Sequence, residues 1–70
     1  MVSNNRLRMV RKEVGMPLSE LARRSGTSRQ TITNIELKGQ VPNGLLMLSI
    51  CEALKRSPDE IFFASHVNHG

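Results

Sequence analysis

Apolar positions recur along this chain at helical spacing, in short runs separated by glycine, proline and small polar residues. Leu7, Val10 and Val14 share one face of a helix predicted over 6–14, and Gly15 follows as a stop. A second helix is predicted over about 17–25, with Pro17 suited to a first turn and Gly26 ending it. The third, over 28–37, opens on Ser28, a good N-cap, and its apolar stripe is limited to Ile32 and Ile35. After a loop through Pro42, a fourth helix over about 43–54 turns Met47, Ile50, Cys51 and Leu54 inward. Ser57, Pro58 and Glu60 then stand as the cap, N1 and N3 residues of a capping box, which predicts a fifth helix of one or two turns ending at Phe62. The tail over 63–67 alternates loosely, the pattern of an edge strand. The expected fold is all-α: five short helices joined by short loops, with brief strands at the termini as an addition.

Length confines this pattern to one domain. Seventy residues form a single unit with a helical core over about 6–62, and 1–5 and 63–70 as strand or dimerisation segments. A chain this short buries about 60% of its unfolded surface, so no second lobe and no interdomain cleft are expected. Two Phe and no Trp or Tyr mean a core of Leu, Ile, Val, Met and Ala. A single Cys excludes an internal disulfide and a four-Cys zinc cage. His66 and His69 lack a carboxylate or Cys partner, so no metal site is expected there, and Cys51 reads as a small core residue. No stretch is apolar enough to span a bilayer and no apolar leader opens the chain, so the expected location is the cytoplasm.

Charge adds direction. The chain carries +4 overall, but residues 1–40 carry +5 and residues 41–70 carry −1. A basic first half beside a near-neutral second half suits a polyanion binder with a separate assembly region; a solvated basic surface is the plainer reading.

The second and third helices decide between these. They are joined by Ser25, Gly26 and Thr27, a three-residue turn with glycine in it, which is the plan of a helix-turn-helix. The geometry needs a small residue where the helices cross, met by Ala22. It needs a residue tolerant of positive φ in the turn, met by Gly26. Leu21, Ile32 and Ile35 supply the shared core.

Leu21, Ala22, Gly26, the run from Ser28 to Ile32, Ile35, Glu36 and Pro42 resemble the phage repressor/Cro-like (XRE) helix-turn-helix family. The likeness runs without a gap from about Arg6 to Phe62. It is strongest to short free-standing regulators of the cytolysin-repressor type. The resemblance implies a sequence-specific DNA-binding transcriptional regulator, a repressor, acting on a pseudo-palindromic operator as a homodimer. It implies base contacts from Arg29, Gln30, Thr33 and Asn34, and the chemistry agrees. Arg pairs with guanine, Gln or Asn with adenine, and Thr offers a methyl to thymine. It implies phosphate contacts from Thr27, Ser28, Thr31, Lys38 and Asn43, aided by the amino end of the third helix. Arg11 and Glu36 match a charge pair tying the first helix to the third; direct contact of Arg11 with DNA is the alternative.

Three departures from the family pattern stand out. Pro17 and Leu18 replace a Ser/Thr–Gln pair that grips a phosphate, so that contact is absent or passes to Ser19 or to backbone N–H groups. Ser25 and Thr27 replace apolar residues, which loosens the turn, and Gly44 weakens the start of the fourth helix. Leu45 and Leu48 flank the inward stripe, either as core or as subunit contact, and with Ile61, Phe62 and Phe63 they form the expected dimer interface.

Other function classes are less well supported. An antitoxin or a restriction–modification controller with a protein partner is the alternative, although no acidic or amphipathic extension of the antitoxin kind is present. An enzyme lacks a nucleophile–base or metal constellation. No cofactor, small-molecule ligand or membrane association is implied.

Overall fold

The computed structural model describes residues 5–63. Four α-helices and one terminal turn follow in order: α1 Leu7–Val14, α2 Leu18–Ser25, α3 Arg29–Lys38, α4 Gly44–Leu54, and α5, a single wide turn of π-helical form over Asp59–Phe63. The described residues hold no strand. The terminal strands expected within 1–5 and over 63–67, and the two tail histidines, lie mainly or wholly outside them.

Local chemistry sets the boundaries. Ser28 Oγ accepts the Thr31 N–H at 3.1 Å, and Asn43 Oδ1 accepts the Leu46 N–H at 2.8 Å, so both helices begin on side-chain caps. The capping box at α5 closes reciprocally: the Ser57 N–H donates to Glu60 Oε1 at 3.1 Å and the Glu60 N–H to Ser57 Oγ at 3.3 Å. Pro17 serves as the extended N-cap of α2 and not as its first residue, with no side-chain bond. Asn5, which the sequence reading left outside the helices, forms an Asx turn over the start of α1. Its Oδ1 accepts the Leu7 N–H at 2.9 Å, and its amide donates to the Ile35 carbonyl at 3.0 Å.

The core is one cluster. Leu7 and Val10 of α1, Leu21 and Ala22 of α2, Ile32 and Ile35 of α3, and Ile50, Cys51 and Leu54 of α4 meet Ile61 and Phe62 of α5. α2 packs on both α3 and α4, while α1 bridges α3, α4 and α5. Three expectations change. Val14, placed on the inward face, is exposed, because Gly15 turns the chain away at the end of α1. Met47 is half-buried at the edge of the cluster. Ile61 and Phe62, expected at a subunit contact, are buried in this chain's own core. The capping box aims their turn back at α1, where the Arg6 N–H also donates to the Ile61 carbonyl at 2.7 Å.

Candidate nucleic-acid interface

The turn between α2 and α3 is built by backbone bonds. Gly26 sits at φ 71°, and the Thr27 N–H reaches back to the Ala22 carbonyl at 3.0 Å, closing a Schellman motif. No atom outside its immediate neighbours lies within 4 Å of where a Gly26 Cβ would project, so the constraint there is the left-handed backbone and not space. Ala22 is buried at the crossing, as its small size requires. The chain resumes through Ser28 in an extended conformation, whose cap starts α3 immediately.

α3 then presents two contrasting faces. Ile32, Ile35 and Glu36 are buried. On the other face, Arg29 and Gln30 are exposed, and Thr33 and Asn34 are half-buried. The four residues expected to meet bases therefore form one stripe of this helix. Gln30 Nε2 donates to Asn34 Oδ1 at 2.9 Å along that stripe. Leu37, to which the sequence reading gave no role, continues the same stripe one turn further on and is exposed; spacing of four from Thr33 was the available signal.

The candidate phosphate contacts surround this face unevenly. Thr27 and Asn43 come together, lining a notch between the turn and the start of α4 that also includes Ser25, Gly26 and Ser49. Ser28 and Thr31 are joined by their hydroxyls at 3.0 Å at the amino end of α3. Lys38 is exposed at its carboxyl end, and Ser19 is exposed in the first turn of α2.

Ion pairs sort the basic residues. Arg11 is committed to structure: Nε and Nη2 grip Glu36 at 2.6 and 3.2 Å, and Nη1 donates to the Met16 carbonyl at 3.0 Å. With the two side chains 12% and 4% exposed, this is a nearly buried bidentate pair. Arg23 and Arg24 both turn to Glu20, whose carboxyl is held below its ordinary range by the hydrogen bond from Arg23 and then that from Arg24. Arg6, Arg8, Lys12, Arg29 and Lys38 have no ion pair among the described residues, so their charge is open to an external anion. Burial pushes the Cys51 thiol up from its ordinary range, in keeping with a packing role. Among the described residues, no three His, Cys, Asp or Glu side chains gather as a metal set, and no helix is long and apolar enough to cross a membrane.

The surface expected to join two copies is divided. Leu45 and Leu48 stand 77% and 58% exposed, so they are not core. They line an open groove with Ser49, Cys51, Glu52, Lys55 and Arg56. Phe63 is also exposed, whereas Ile61 is fully buried and Phe62 nearly so, at the floor of a groove it lines with Phe63.

Two helices locked at a glycine turn, the second showing an exposed polar stripe with the unpaired Arg29 on it and Lys38 at its end, define a helix-turn-helix of the DNA-binding class. Comparison with known proteins agrees: residues 7–61 match the family described as Helix-turn-helix, and this chain belongs to it. An uncharacterised HTH-type transcriptional regulator of Bacillus subtilis, YgzD, is 31% identical over 64 residues, covering 91% of this chain and 97% of that protein. The crystal structure of the restriction–modification controller protein C.AhdI from Aeromonas hydrophila superposes with a TM-score of 0.73 at 29% identity. The match covers 79% of this chain and 83% of that one. The protein is a DNA-binding transcriptional regulator with an all-helical fold.

Proposed function

We propose that this protein is a repressor that binds a pseudo-palindromic operator as a homodimer, with α3 in the major groove. The observation that carries this reading is the stripe formed by Arg29, Gln30, Thr33 and Asn34 on the face of α3 opposite its buried residues. Arg29 has no hydrogen-bond partner among the described residues and is free to make a bidentate contact with guanine. Thr33 brings a methyl for thymine, and Gln30 with Asn34 brings carboxamides for adenine. Ser28 and Thr31 at the amino end of α3, Thr27 and Asn43 in the notch, Lys38 and Ser19 hold the flanking phosphates. The exposed Leu45 and Leu48 of α4, with Phe63 as a separate exposed apolar residue, join the two copies. Catalysis, a cofactor and a small-molecule ligand have no part in this reading, and the site of action is the cytoplasm.

The likeness to a restriction–modification controller supports a second reading, in which the protein regulates genes of that kind. Selection of bound sites from a random DNA pool tests the first. The expected product is an inverted repeat whose half-sites are centred about 34 Å apart, one turn of DNA. On the selected site, Arg29→Ala is expected to cost about 1–3 kcal/mol and to relax one base position, while Lys38→Ala weakens all sequences alike. An equal, uniform loss from both variants would remove Arg29 from the base-reading set. Recovery of sequences with no shared pattern would remove the repressor reading.

A further inference from the structure

We propose that Gln30 and Asn34 form one composite reader of a single adenine, in which Asn34 is a positioning residue for the Gln30 carboxamide. The inference rests on the reading of α3 as the recognition helix. It starts from the bond between Gln30 Nε2 and Asn34 Oδ1, 2.9 Å long and running along the exposed stripe from one turn to the next.

A carboxamide nitrogen carries two hydrogens. One lies on the same side as the amide oxygen; the other points away from it. Adenine shows the major groove an acceptor, N7, beside a donor, the N6 amino group. Pairing with both atoms uses the glutamine oxygen and the hydrogen on its own side, and leaves the second hydrogen idle. That idle hydrogen is free for Asn34 Oδ1, so a bond to Asn34 and a pairing with adenine are compatible in one geometry.

The bond also couples the two amides: with Asn34 Oδ1 turned to Gln30, the nitrogen end of Gln30 is held on the Asn34 side. Gln30 is exposed, and the last torsion of a glutamine is broad and roughly two-fold, so a free side chain presents oxygen or nitrogen with similar ease. Anchored to Asn34, the nitrogen stays on the Asn34 side and the oxygen projects away from it. Guanine places acceptors at both O6 and N7. An oxygen held against O6 is repelled, so the anchored amide rejects guanine where a free one would turn over. Fixing the side chain before binding also lowers the ordering entropy left to be lost in the complex.

Control runs from Asn34 to Gln30. Asn34 is half-buried, and its backbone carbonyl accepts N–H groups from Gly39 and, at 3.2 Å, Gln40, in the bonds that close α3. Gln30 lies in the first, exposed turn. With Oδ1 turned to Gln30, Asn34 is held away from the orientation in which an independent asparagine makes a two-bond contact with a second adenine. Its amide hydrogens remain as donors.

The test measures base preference at every position of a site selected from a random DNA pool, using single-base competitors. It compares the wild type with Gln30→Ala, Asn34→Ala, Asn34→Asp and the double alanine variant, and records thermal unfolding for each. Gln30→Ala is expected to lower the adenine preference at one position about tenfold. Asn34→Ala should lower it at the same position, with the double variant no worse than Gln30→Ala there. Asn34→Asp keeps the acceptor oxygen, so it should keep the adenine preference at that position even as its added charge weakens binding to all sites. Loss of preference at a different position in Asn34→Ala, with the Gln30 position intact, means two independent readers and overturns the proposal. A lowered unfolding temperature with uniform loss across all bases also overturns it, by making Asn34 merely structural. If Gln30→Ala leaves the preference at every position unchanged while Arg29→Ala relaxes one, the proposal falls and the reading of α3 stands; if neither changes any preference, the reading of α3 itself fails.

Discussion

Glu36 is a carboxylate in the core, and what makes it tolerable is the guanidinium of Arg11 laid against both its oxygens. A buried pair contributes little over an apolar substitute, but breaking it strands a charge. Arg11→Ala is therefore expected to destabilise the fold by about 3–5 kcal/mol in urea denaturation. Arg24→Ala, which removes one of two arginines from the exposed Glu20 cluster, should stay within about 0.5 kcal/mol. Equal midpoints for the two would mean the Arg11 pair is solvated. Ser25 is the opposite case: its hydroxyl is buried with no hydrogen-bond partner among the described residues. Ser25→Ala removes an unsatisfied group and improves helix propensity, so a gain of about 1 kcal/mol is expected, seen as a raised melting temperature. These two sites differ in how they read from sequence. The departure at Ser25 is visible as a polar residue where an apolar one belongs. The Arg11–Glu36 contact spans 25 positions, and no local pattern signals it; family resemblance pointed to it.

Helices announce themselves where their boundary chemistry is local. Ser28 and the Ser57–Glu60 box cap the helices they were expected to cap, and Asn43, expected as the start of α4, caps it too, because a cap bond reaches three residues and depends on nothing further away. The direction a short helix faces is a different matter. One turn with adjacent apolar residues fits a core or a partner equally well, and the sequence reading assigned Ile61 and Phe62 to the partner. The backbone bond from Arg6 to Ile61, between residues 55 positions apart, draws that turn onto α1, and periodicity does not encode it. Ser28 tests two roles at the element scale. Its cap stabilises α3, and its position is also proposed to meet a phosphate. Ser28→Ala should cost about 1 kcal/mol of stability. Ser28→Asp retains a capping oxygen and adds a charge favourable to the helix end, so its stability should match the wild type. Its DNA affinity should nonetheless fall, because the new carboxylate faces the backbone. Unchanged affinity in Ser28→Asp, by electrophoretic mobility shift, would take Ser28 out of the phosphate contacts.

At the scale of the whole molecule, charge and apolar surface separate onto different parts. Most cations without an ion pair among the described residues, Arg6, Arg8, Lys12, Arg29 and Lys38, lie at or on α1 and α3, while Lys55 ends α4. The most exposed leucines lie on α4, in the half of the chain whose net charge is near zero. Docking through the basic half on roughly five phosphates per subunit would give a dimer a log–log salt slope of about −9. A slope shallower than about −3 would mean that this surface does not dock. One recognition helix reads too few base pairs to choose an operator, so two must be held one DNA turn apart. Two basic halves repel each other, which leaves the α4 surface to do the holding. In the proposed dimer, with Ile61 and Phe62 in the core, the exposed candidates for the interface are Leu45 and Leu48 and, in a separate groove, Phe63. The double variant Leu45→Glu, Leu48→Glu places two carboxylates per copy on a self-facing surface while leaving every core residue in place. It should sediment as a monomer at micromolar concentration, with its helical circular dichroism retained and its affinity for the full inverted repeat reduced at least tenfold. Its affinity for a single half-site should match the wild type, because α3 is untouched. A variant that still sediments as a dimer would place the interface elsewhere. A monomeric variant with full operator affinity would show that assembly is not what selects the site.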